Sequence, residues 1–313
     1  MNDFADRLAT KVGDYIRLRR SLGHVFKVQG ATLKAFHRFV ARQDDTGPLT
    51  GNLALAFVLA CDVTPNIRTR RYAVLRRFAE YLTIFEPATE VLDPQALPRS
   101  RTTPSARILD DAELARLLAA ALEVTGSDSM RGLTLYTLLG LLASTGLRSG
   151  EALRLDRADV DLAGGVLEIR RTKFRKDRLV PVHSTTCAQL RAYSSARDRT
   201  FGRVASPAFF LSPRGGRLSP SGLSSAFRQA RARAGLDGDR PRQLRPHDLR
   251  HRFAIARLVA SYRAGVDVQA QLPLLATYLG HVRYSDTAYY ITGTAELLGL
   301  AAERVFGPMG GVR

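Results

Sequence analysis

Six side chains spread between residues 148 and 290 of the 313-residue chain are of the types needed to cleave a phosphodiester without a metal: Arg148, Lys173, His247, Arg250, His281 and Tyr290. They lie in four short stretches: STGLRSGEALRL, RRTKFRKDRLVPVH, RPHDLRHRFA and YLGHVRYSDTAYY, with Tyr290 nine residues after His281. A guanidinium is a planar fork of donors that stays charged at any working pH, so two arginines suit the two non-bridging oxygens of a phosphate. A tyrosine hydroxyl can attack phosphorus, Lys173 or a histidine can protonate the leaving oxygen, and the remaining cations can stabilise the transition state.

These residues must be delivered by particular elements. An apolar helix running to Ala143 stops at STGLRSG and a new one starts through GEALRL, so Arg148 falls at a helix start, where free N–H groups and the helix dipole also favour an anion. Glu151, three residues on, reads equally as a buttress for Arg148 and as a first-turn acid. GVLEIRRT and RLVPVH alternate in strand fashion around KFRKD, which predicts a β-hairpin with Lys173 near its tip and Lys176 as a simple phosphate contact. After Pro246, the spacing of three puts His247 and Arg250 on one helical face, joined by His251 at spacing four. Two histidines four apart are also a metal-ligand spacing, but the intervening glutamate of the zinc protease motif is missing and no ready third ligand is apparent. His251 therefore reads as packed or hydrogen-bonded beneath the site.

The four stretches, in this order, resemble the boxes of the tyrosine recombinases of phage-integrase and transposon type: TGLRSGE the first arginine box, the Lys173 hairpin the lysine box, HDLRH the His-x-x-Arg box, and LGH with its following tyrosine the closing box. The resemblance covers residues 107 to 306, and AGVDVQAQLPLLATYLGH is closer to a transposon-associated subgroup than to dimer-resolving recombinases. It departs after LGH, where Val282, Arg283 and Tyr284 replace the small residues often found there. The resemblance implies catalytic roles for Arg148, Lys173, His247, Arg250, His281 and Tyr290. It also implies an amino-terminal core-binding domain that forms a C-shaped clamp on double-stranded DNA, and a 3′-phosphotyrosyl intermediate. Four protomers would assemble on two synapsed sites, with accessory DNA-bending or recombinase partners. Type IB topoisomerase-like relaxation, or a silent DNA-binding regulator, is the alternative; binding alone needs neither a tyrosine nucleophile nor a titratable lysine.

Charge points to the same partner. The net charge is +18 and the pI near 10.8, a field that attracts polyanions and releases their counterions. Residues 1 to 100 carry 15 basic against 10 acidic residues, a net of +5, and residues 101 to 313 carry 32 against 19, a net of +13. Only five of the 47 basic residues are lysine, and both in the second half, Lys173 and Lys176, fall in one short stretch. A general acid must release its proton, which a lysine of lowered pKa can do and an arginine cannot.

The first third reads as four helical segments, separated by turn signals such as DDTGP and DVTP. Phe4, Leu8, Val12, Tyr15, Ile16 and Leu22 recur at helical spacing, as do Leu33, Phe36, Phe39 and Val40, and Tyr72, Leu75, Phe78, Ala79 and Leu82. RLRR at 17–20 and RTRR at 68–71 are candidate phosphate contacts or solvated helix faces. The proline-rich stretch 86–107 reads as an extended linker, and Asp110 or Asp111 as the cap of the next helix. The expected organisation is a helical domain over 1–86, a linker over 87–106 and a catalytic domain over 107–313, mainly α with a small antiparallel sheet. Past Tyr290, Leu297, Leu298, Ala301, Val305 and Phe306 form an apolar stripe that either folds back or docks on a neighbouring protomer.

Other chemistries lack their signatures. There is no Walker-type loop, no carboxylate cluster for two-metal cleavage and no metal spacing around Cys61 or Cys187, so neither metal nor cofactor is expected. The longest apolar run, LTLYTLLGLLA, is too short to span a bilayer, and a cytoplasmic, nucleoid-associated enzyme with no membrane partner is the expectation.

Overall fold

The computed structural model describes residues 3–43, 47–60, 62–98, 107–124, 130–170, 177–202, 206–238, 242–281, 287 and 295–306, the last few without all their side chains. Lys173, Lys176, Tyr289 and Tyr290 lie outside the described residues, as do Val282, Arg283 and Tyr284. The chain divides into two compact units, residues 1–103 and 104–313.

Among the described residues the first unit contains four helices, α1 (Asp3–Ser21), α2 (Lys27–Val40), α3 (Gly51–Leu59) and α4 (Pro65–Leu82). Proline opens α4, where its missing N–H costs nothing, and the Thr50 side chain caps α3 by accepting from the Leu53 N–H at 3.2 Å. The residues read at helical spacing meet in one core: Phe4, Leu8, Leu33, Phe36, Leu75 and Phe78 are each at most 1% exposed. Leu22 is a correction. It lies past the end of α1 and is 62% exposed, because the periodic stripe outruns the helix that carries it. The stretch read as a linker is, over residues 87–98, folded onto this unit: Leu92 is buried in its core, Leu97 packs against it, and Glu90 accepts from the Gly51 N–H at 2.6 Å.

The second unit starts with α5 (Asp111–Leu122), where the alternative left open between two aspartates resolves to Asp110, whose side chain accepts from Glu113 N–H at 2.7 Å while Glu113 returns the bond. The apolar helix α6 (Met130–Thr145) is buried nearly all round and forms the centre of the main core with α5, α8 (Ser184–Phe201) and α9 (Pro220–Arg233). Short α7 (Ser149–Arg154) follows α6, then a three-stranded antiparallel sheet in the order β1 (Val160–Asp161), β2 (Val166–Ile169), β3 (Arg178–Pro181). The β2 and β3 strands are shorter than the alternation suggested, and β1 was not read, since two residues give no pattern. A second cluster joins α10 (Asp248–Arg263), α11 (Val268–Leu279) and α12 (Ala295–Phe306) through Phe253, Leu258, Leu272, Leu279 and Leu297. Here α12 folds back on its own unit, with Leu297 1% exposed. Its neighbour Leu298 is 52% exposed and leaves the expected stripe, because adjacent helical residues point about 100° apart. The Val305 and Phe306 side chains lie outside the described residues. Among the described residues no helix is long and apolar enough to cross a membrane.

Candidate active site

Gly146 makes the corner between α6 and α7. Its φ is +63°, and a Cβ there would sit 2.5 Å from the Phe253 ring, so neither the turn nor the packing admits a side chain. The corner puts Arg148 at the N-cap of α7, as its spacing implied. The two readings of Glu151 prove compatible. Its carboxylate accepts from the Arg148 backbone N–H at 3.1 Å as a first-turn acid, and from Arg148 Nη1 at 2.9 Å as a buttress.

The α10 helix opens at His247, its N-cap, and the buried Asp248 fixes the approach by accepting from the Arg245 N–H at 2.8 Å and pairing with Arg242. One turn on, Arg250 is 1% exposed, with Nη1 donating to the Gly146 carbonyl at 2.7 Å and Nη2 to the Leu279 carbonyl at 2.8 Å. His251 lies against His247, ring centroids 4.8 Å apart and edge-on, and is half-buried.

The α11 helix ends at Gly280, in the left-handed conformation that closes many helices. Its last carbonyls have no partner within the helix and carry the negative end of the dipole. Three guanidiniums supply the partners: Arg178 Nε donates to the Tyr278 carbonyl at 3.0 Å, Arg250 to that of Leu279, and Arg148 Nη2 to that of Gly280 at 3.1 Å. His281 comes next in the chain, its Nδ1 2.6 Å from the hydroxyl oxygen of the fully buried Thr287. Arg148, His247, Arg250 and His281, separated by up to 133 positions in sequence, are therefore brought to one place. Lys173 belongs to the connection between Ile169 and Arg178, which pair across β2 and β3.

The cations set the charge states. Burial and then the charges of Arg250 and Arg148 push His281 down to about 3. Burial and neighbouring His247 push His251 down to about 4, and burial with the charge of Arg250 lowers His247. All three rings are neutral at pH 7 in this state. Burial opposes ionisation of Glu151, yet hydrogen bonds and charge from Arg178 and Arg148 prevail and hold its carboxyl at about 2. Among the described residues no group of three or more His, Cys, Asp or Glu is placed to hold a metal ion.

Sequence reasoning missed Arg178 and Thr287. Arg178 donates to both Glu151 oxygens, at 3.2 and 2.9 Å, from 27 positions away. The available signal was indirect: a buried glutamate beside one arginine has acceptor capacity for a second.

The phage integrase family model matches residues 107–296. The chain belongs to the phage integrase family. It is a tyrosine recombinase, an enzyme that cuts and rejoins DNA strands. The protein y4rE of Sinorhizobium fredii, named as an integrase/recombinase, is 54% identical over 306 residues, covering 98% of each chain. The tyrosine recombinase XerC of Myxococcus xanthus is 30% identical over 249 residues, 77% of this chain and 76% of its own. Among solved structures, the Tn1549 transposon integrase in complex with transposon right end DNA aligns with a TM-score of 0.68 at 14% identity, covering 96% of this chain and 99% of that one. The site-specific recombinase XerH bound to a palindromic difH substrate aligns with a TM-score of 0.67 at 19% identity, covering 88% and 78%. These two share the fold, mainly helical with a small antiparallel sheet.

Proposed function

We propose that Arg148, Arg250 and His281 hold and polarise the scissile phosphate of double-stranded DNA, with His247 beside them, while Tyr290 attacks phosphorus and Lys173 protonates the departing 5′-oxygen. The observation that carries this reading is the convergence of Arg148, Arg250 and His281 on the end of α11. A guanidinium carries five N–H donors in a fixed fork, a geometry that suits the oxygens of a phosphate. The neutral histidines serve as hydrogen-bonding groups, which leaves the titratable proton to the lysine.

A phosphotyrosyl link conserves the energy of the broken bond, so strands are rejoined without ATP. Exchange between two sites then needs four active sites, and we assign the assembled enzyme as a tetramer of this chain on paired DNA sites. The first compact unit, residues 1–103, forms the core-binding domain, its basic clusters at 17–20 and 68–71 on DNA phosphates. The relatives named for transposon and integrase activity support movement of a mobile element as the biological event.

Covalent capture tests this. Nicked duplexes tiled over the DNA flanking the gene lose the short strand next to the cleavage site and trap the enzyme. Wild type should form the adduct, with the nucleotide on Tyr290 by peptide mapping. Tyr290→Phe should bind DNA and form none, and Tyr289→Phe should still form it. An adduct persisting in Tyr290→Phe, or mapped to Tyr289, overturns the assignment.

A further inference from the structure

We propose that Arg178 is a positioning residue for strand cleavage: it fixes Arg148, through Glu151, against the end of the helix that delivers His281, a role that rests on the reading that these two residues meet the scissile phosphate.

The contacts are specific. One guanidinium uses three nitrogens: Nη1 and Nη2 fork onto the two oxygens of Glu151 at 3.2 and 2.9 Å, and Nε reaches the Tyr278 carbonyl at 3.0 Å. Glu151 is 4% exposed and uses the same two oxygens on Arg148, one for its guanidinium and one for its backbone N–H. Each side of the glutamate thus carries an arginine, and both arginines reach α11, at Tyr278 and at Gly280. The result is a closed ring: Arg148 to Glu151, Glu151 to Arg178, Arg178 to the end of α11, and the end of α11 back to Arg148. Such a ring defines where the Arg148 fork points, which a single flexible pair does not.

Two further observations agree. Gly280 sits under the Arg178 plane so closely that a Cβ would lie 2.8 Å from Nη1 and 2.9 Å from the central carbon, so the backbone and the guanidinium are fitted to one another. Arg178 also opens β3, paired with Ile169 across the sheet, so the ring is fastened to the hairpin of the lysine box. Lysine cannot replace this arrangement, because a point ammonium lacks the fork for a carboxylate and the third donor at fixed angle.

Single-turnover capture on the same nicked duplexes tests the role with Arg178→Lys and Arg178→Gln. Both should leave DNA affinity within about twofold and slow adduct formation by about 10- to 100-fold, the scale of a small misplacement of a reacting group. Glu151→Gln added to either should slow it no further, since one ring is already open. Sulfur at the 5′-bridging position, which leaves without a proton, should not restore the rate. Wild-type cleavage by both variants, additive losses with Glu151→Gln, or restoration by the sulfur substrate overturns the proposal. Failure of both variants to fold also overturns it, since the residue would then hold the domain and not the site. These outcomes stand apart from failure of the underlying reading, which would appear as an adduct in Tyr290→Phe or none in wild type.

Discussion

Arg250 donates to the carbonyl of Leu279 at 2.8 Å, with its other terminal nitrogen on Gly146 at 2.7 Å. One buried side chain therefore sets the distance between the corner that presents Arg148 and the helix end that presents His281. Any group that removes this fork leaves two buried carbonyls unpaired, a desolvation cost of about 1–3 kcal/mol each. The candidate site is thus built from the same bonds that close the ends of α6 and α11.

Gly280→Ala should damage both fold and chemistry. The position has φ +68°, and an added Cβ would strike the Arg178 guanidinium. The left-handed conformation alone costs a residue with a Cβ about 1–2 kcal/mol, and the displaced Arg178 adds to it. A lowered melting temperature with slower covalent capture is expected. Unchanged melting would show that the helix end relaxes freely.

Stability should fall as the solution is acidified from neutral pH, before most carboxylates titrate. Imidazoles in the unfolded chain titrate near 6.5, whereas His281 and His251 in the folded chain sit at about 3 and about 4, and His247 is also lowered. Between those values the unfolded chain binds more protons, so stability is full above pH 6.5 and declines below it. Glu151 contributes a second decline, beginning near its ordinary 4.5 and ending at about 2. Melting temperatures recorded from pH 8 to 4 should therefore slope downward below 6.5, and His281→Asn should flatten that slope. An identical slope in the variant would contradict it.

What could be read in the sequence was local or periodic. The Arg148 helix start, the His247 to Arg250 turn and the repeating Phe and Leu positions of α1, α2 and α4 are fixed by spacings of three and four, and those survive folding. Leu22 and Leu298 went astray because periodicity does not say where a helix ends or which of two adjacent leucines faces inward. Arg178 was illegible for a different reason. Its partners lie 27 and 100 positions away, and one of them is a backbone carbonyl, which every residue possesses and no sequence distinguishes. The neutral state of the histidines likewise depends on burial and on arginines brought from other segments.

Leu297→Ala should test how α12 is held. The side chain is 1% exposed among Phe253, Leu258 and Leu279 of its own unit, so its truncation should cost about 2–5 kcal/mol with the helix docked in this way. Melting measured over a wide range of protein concentration checks it. Docking within one chain predicts a loss independent of concentration; a loss that vanishes on dilution would place the helix on a second copy.

Lys173→Ala should slow cleavage by about 100- to 10,000-fold, the span of general-acid contributions. A general acid at neutral pH must arrive protonated, and burial together with Arg250 and Arg148 keeps His281 neutral, as burial and neighbouring charges do for His247 and His251. Arginine holds its proton too tightly to give it up. Lys173 and Lys176 both belong to the connection between Ile169 and Arg178, and the resemblance to the lysine box implies the role for Lys173. Sulfur in place of the 5′-bridging oxygen leaves without protonation, so this substrate should recover most of the loss in Lys173→Ala while leaving the Arg178 variants slow. A Lys173→Ala enzyme equally slow on both substrates would move the acid elsewhere, and His247 or His281, with a pKa raised by the bound phosphate, would be the next group to replace.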